Sequence, residues 1–66
     1  MSPQQKVIME VLRQSDAGQI STELAVSAIQ KAGYKNAERH TAPLLRRMVR
    51  IGLLVKTEPG IFKANK

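Results

Sequence analysis

NAERHTAPLLRRMVRIG, residues 36–52, reads as a helix with two chemically opposite sides. At about 100° per residue, Arg39, Pro43, Arg46, Arg47 and Arg50 fall on one arc, with His40 at its edge. Thr41, Leu44, Leu45, Met48, Val49 and Ile51 fall on the other, the apolar side a helix needs to dock on a core. The first arc carries four arginines and no acid except Glu38 at its N-terminal end. Mixed signs are the usual solubilising pattern, and this face is nearly all one sign. A guanidinium is a planar fork that fits phosphate oxygens and the guanine edge. The pattern implies a helix pressed against a polyanion.

Pro43 interrupts this stretch. Inside a helix it removes the bond to the Arg39 carbonyl and crowds it, at a cost of ~3 kcal/mol. Either the helix runs from Asn36 with a kink at Pro43, or the regular helix starts only after Thr41. The second option leaves a connection of about eight residues, long for so small a domain. The expected helix is therefore 36–51, with Asn36 as a candidate cap and Gly52 as its stop.

Upstream, Ser21-Thr22-Glu23 opens another helix, with a hydroxyl cap and an acid in the first turn. Its expected buried face is Leu24, Ala25, Ala28, Ile29 and Ala32, and Gly33 ends it. Tyr34, expected as a plug between the two helices, begins a short turn through Lys35 to Asn36. Two helices joined by so short a turn, the second one basic, make a helix-turn-helix arrangement. The first helix of the chain starts at Ser2-Pro3-Gln4-Gln5, a capping box with proline at the first helical position. Val7, Ile8, Val11 and Leu12 form its stripe up to about Ser15. Met9 lies off the stripe and is expected to be exposed, as a candidate dimer contact. Gln19-Ile20 is an extended link, too short for a strand unless it pairs with something later.

Downstream, Leu53–Thr57 and Ile61–Ala64 flank Glu58-Pro59-Gly60, where proline and glycine sit as a type II turn requires. The expected element is a β-hairpin over 53–64, with Phe62 in the core. If Thr57 pairs with Phe62, Lys56 opposes Lys63, and two facing cations need an anion nearby.

The net charge of +6 is unevenly placed. Residues 1–34 carry Lys6, Arg13 and Lys31 against Glu10, Asp16 and Glu23. Residues 35–66 carry Lys35, Arg39, Arg46, Arg47, Arg50, Lys56, Lys63 and Lys66 against Glu38 and Glu58, so the whole excess lies there. This asymmetry implies a polyanionic partner on one side of the fold.

With 66 residues the chain makes a single domain, 1–66, near the lower limit for an unaided core. Two aromatics, Tyr34 and Phe62, leave that core aliphatic and thin, so a homodimer is a candidate state, with Met9, Val26 and the chain ends as contacts. No cysteine is present, so no disulfide or thiolate metal site supports the fold. A metal site needs three or four ligands, and the single histidine has no companions, so no metal is expected. No nucleophile–base or carboxylate pair falls at a catalytic spacing, and no glycine-rich phosphate loop is present. No catalytic residue, enzymatic activity or cofactor is expected. No apolar run approaches the ~18–20 residues of a membrane span, so a cytoplasmic protein without membrane contact is the expectation.

The order of elements is helix, extended link, helix, turn, basic helix, hairpin. It resembles the winged helix-turn-helix superfamily, and nearly the whole chain takes part. Within it LLRRMVRIGLLV, residues 44–55, resembles the end of the recognition helix and the first wing strand in small bacterial and archaeal regulators. The resemblance implies a mainly α fold of three helices with a C-terminal β-hairpin, and a small transcriptional regulator binding double-stranded DNA. Matched by distance back from Gly52, it puts Arg39, His40, Ala42, Pro43 and Arg46 toward bases and adjacent backbone in the major groove. Arg47 and Arg50 lie toward phosphates. Lys35 in the turn, and Lys56 and Lys63 in the wing, join the same interface. The amides at Ser21 and Thr22, caps in the first place, become candidate phosphate contacts. The alternative is a winged-helix interaction module or inhibitor whose basic face docks an acidic protein.

Overall fold

The computed structural model describes residues 1–65; Lys66, counted above among the bases, lies outside the described residues. Three helices pack with a three-stranded antiparallel sheet. The first helix, α1 (Pro3–Gln14), begins as expected. Ser2 Oγ accepts from the Gln5 amide at 3.2 Å, and Gln5 Oε1 accepts from the Ser2 amide at 2.9 Å. Each side chain satisfies an amide that the helix cannot. Gln5, Ile8 and Leu12 are buried, and Val7 and Val11 flank them half-buried. Met9 departs from its expected exposure, for it is half-buried and packs on the core. Val26 does the same.

The link after α1 is a strand, β1 (Gln19–Ser21), because a partner exists some forty residues later. Ile20 pairs with Phe62, and both are buried. The expected hairpin, β2 (Leu54–Glu58) and β3 (Ile61–Ala64), thereby grows into a sheet of order β1-β3-β2. Its register differs from the expected one. Lys56 pairs with Phe62 and Val55 with Lys63, and a bulge at Thr57 lets Glu58 pair with Ile61. The two lysines do not oppose each other. Gly60, at φ +79°, takes the left-handed position of the turn.

Between these strands lie α2 (Thr22–Lys31) and α3 (Ala37–Arg50). Ser21 Oγ caps α2 by accepting from the Leu24 amide at 3.0 Å. Only Ala25 and Ile29 of its expected face are fully buried. Ala28 is half-buried, Ala32 is exposed and Leu24 is 56% exposed. A stripe centred on i, i+4 positions turns the preceding residue about 100° away, and α2 is rotated to favour Ala25 over Leu24.

Both α2 and α3 end in the same way. The Gly33 amide bonds the Gln30 carbonyl and the Tyr34 amide the Ile29 carbonyl; Gly52 and Leu53 repeat this on Val49 and Met48. This is the Schellman arrangement, with a left-handed glycine followed by an apolar residue packed on the core. Tyr34 is accordingly half-buried between the helices. Asn36 stands at the N-cap of α3, but its side chain makes no capping bond. It takes the left-handed conformation (φ 59°), which asparagine tolerates, and its carbonyl accepts from the Arg39 and His40 amides.

Candidate nucleic-acid interface

Helix α3 runs unbroken through Pro43. Its buried residues are Ala37, Thr41, Leu45 and Met48, spaced as one stripe against α2 and the sheet. Leu44 and Val49 flank the stripe half-buried. Ile51, expected on this side, is 53% exposed because it lies past the last helical turn. The Thr41 hydroxyl is buried without a hydrogen-bond partner.

The other side of α3 follows from the same periodicity. Arg39, Pro43, Arg46 and Arg50 are exposed and fall within about 60° of arc, diametrically opposite the buried stripe. Arg47 and His40 continue that arc and are exposed too, while Ala42 on its other flank is half-buried. Eleven residues at 1.5 Å each put about 16 Å between Arg39 and Arg50, so the row is longer than the major groove is wide. Among the described residues the ion pair is that of Arg13 with Glu10, on α1. The guanidinium groups of α3 have no carboxylate partner there.

The remaining candidate residues separate. Lys35 is exposed in the turn that leads into α3. Lys56 shares a sheet face with Phe62 and Leu54, the face toward α3, because directly paired residues and alternate residues point the same way. Lys63 lies on the other face with Val55. It lines an open cleft with Lys6, Met9, Arg13 and Asp16, and so is not brought to the arginine row. At the start of α2 the Ser21 hydroxyl is engaged by the Leu24 amide. The Thr22 amide donates to the Gly60 carbonyl at 2.9 Å, and its hydroxyl reaches the same oxygen at 3.5 Å. Two of the first three amides of α2 are thus occupied internally, which weakens the case for a phosphate there. The same bond fastens the hairpin turn to α2, a link that nothing in the local sequence announces.

Among the described residues no group of three or more His, Cys, Asp or Glu side chains lies together, and no helix is long and apolar enough to cross a membrane. Comparison with protein-family models, with curated proteins and with solved structures finds no match for this chain.

Proposed function

We propose that this chain is a winged helix-turn-helix protein that binds double-stranded DNA, a small cytoplasmic transcriptional regulator. One observation carries the reading: four exposed arginines lie along one face of α3, opposite its buried stripe and without carboxylate partners among the described residues. In this reading α3 is the recognition helix, the hairpin β2–β3 is the wing, and Lys56 and Lys35 extend the basic surface beside it. The basic half captures the duplex electrostatically, and α3 then enters the major groove.

Neutralising about four to six phosphates makes log K fall with log salt at a slope of roughly −4 to −5. Two copies on one site double that slope and select a two-fold sequence with half-sites about one helical turn apart. The test is a gel shift on random duplex at low salt, with wild type and with Arg46→Ala/Arg50→Ala. Wild-type binding, weakened strongly in a double variant of unchanged circular dichroism, is the expected result. Equal affinity of the two proteins removes α3 from the interface. A wild type that shifts no duplex at low salt overturns the DNA reading and leaves an acidic protein as the partner of the same face.

A further inference from the structure

Pro43 puts a hydrocarbon surface in the middle of the arginine row. On a helix the surface neighbours of a residue stand three and four places away, and for Pro43 these are Arg39, His40, Arg46 and Arg47. All four are exposed, and so is Pro43 itself. Its ring therefore meets solvent encircled by nitrogen-bearing side chains. The fold makes no use of that ring. Ala37, Thr41, Leu45 and Met48 carry the packing of α3, and Pro43 lies outside the core and its flanks. Proline suits the first turn of a helix, whereas Pro43 stands midway along α3. There it removes a hydrogen bond and crowds the preceding turn, so it weakens the helix without adding to the core.

We infer that the exposed Pro43 ring packs on the C5 methyl group of a thymine in the DNA site and thereby selects that base. This rests on the DNA-binding reading above, in which the exposed arc of α3 faces base edges. The ring has no polar atom, so it offers contact and no hydrogen bond. In the major groove thymine presents a methyl group, while guanine, adenine and cytosine present N7, O6, N6 or N4. Covering one of those polar atoms with the ring removes its water and supplies no partner. Covering the methyl group removes apolar surface from water, which is favourable. Both effects favour thymine at the place where Pro43 meets the groove. The arginines around it suit guanine and phosphate, so the ring adds a preference that they do not supply.

Binding-site selection from a random duplex library gives the site, and uracil then replaces each of its thymines in turn. Uracil differs from thymine only in lacking the methyl group. At one position it should weaken wild type about fourfold, the effect of one buried methyl group. Pro43→Ser restores the helical N–H and puts a short polar group where the ring was; it should bind thymine and uracil almost equally there. Pro43→Val restores the same N–H but keeps a hydrocarbon surface, and should retain a preference for thymine. Circular dichroism checks that both variants fold, and the readout is the thymine-to-uracil ratio within each protein. Indifference of wild type to uracil at every position overturns the inference. So does a preference that Pro43→Ser keeps in full, or one that both variants lose alike, since the hydrocarbon is then not what reads the base. If none of the proteins binds any duplex at low salt, the DNA reading itself has failed, and this inference with it.

Discussion

The outer faces of α1 and α3 both carry arginine, and the two faces are chemically opposite. On α1, Arg13 lies one turn after Glu10, and its Nε donates to Glu10 Oε2 at 3.1 Å. Gln14 donates to the same carboxylate at 3.0 Å. Such a face is neutral locally and satisfied by its own helix. On α3, the positions three and four residues from Arg46 and Arg50 hold no acid. Arg46–Arg50 and Arg47–Arg50 are instead like-charge neighbours, each destabilising by about 0.2–0.5 kcal/mol. Arg47 and Arg50 in the last turn recover part of that against the helix dipole. A cationic row that its own helix disfavours is what the proposed duplex partner would compensate. The neighbour three or four residues away, more than the arginine itself, separates the internally paired face of α1 from the unpaired row of α3.

The largest effect comes from removing arginines from one face or the other. Arg46→Ala/Arg50→Ala should lower duplex affinity on the order of a hundredfold at low salt and reduce the salt slope by about 2. Arg13→Ala should change neither by more than about twofold in the same titration, and comparable losses from both would erase the distinction between the faces. The inside of α3 offers the next effect. Thr41→Val replaces the unpartnered buried hydroxyl by a methyl group and should stabilise the fold by about 1 kcal/mol in urea unfolding; a loss of stability would mean the hydroxyl has a partner after all.

A smaller change tests the repulsion along the row. Arg46→Glu puts a carboxylate four residues ahead of Arg50, the favourable order for an ion pair within a helix. It should raise stability by about 0.5 kcal/mol while abolishing duplex binding. Stability falling together with binding would show that the row is not self-repelling. The smallest effect lies on α1. The hydrogen bond from Arg13 holds the Glu10 carboxyl below its ordinary value. The unfolded chain therefore takes up this proton more readily than the folded one. The pair's small, solvent-screened contribution is present above the ordinary carboxylate range and is lost as pH falls through the depressed folded value. In an NMR titration Arg13→Ala should move Glu10 upward toward an unperturbed glutamate, and an unmoved titration would show that the pair does not form in solution.

Legibility in the amino-acid order varies with the range of the interaction. The capping box at Ser2 and Gln5, the helix stops at Gly33 and Gly52, and the two sides of α3 are readable because each is written within one or two turns of chain. Continuity of α3 through Pro43 follows from the length of the connection that the alternative would leave. Leu24 defeats the periodicity because an apolar residue at the margin of a stripe faces in or out according to how neighbouring elements rotate the helix, and Ile51 because the helix ends before it. The facing of Lys56 and Lys63 fails because one extra residue, Thr57, shifts the register of everything before it.

From the chain alone come the helices, their ends, the turn before α3 and the gathering of cations in the C-terminal half. Periodicity, capping and charge act over a few residues, and no distant contact is needed to read them. Folding in three dimensions makes Gln19–Ser21 a strand, turns Lys56 and Lys63 to opposite faces of the sheet, and sets the Gly60 carbonyl against the Thr22 amide. The first and last of those depend on pairing between segments some forty residues apart, where each partner satisfies hydrogen bonds and covers surface that neither could alone, and the second on the bulge at Thr57.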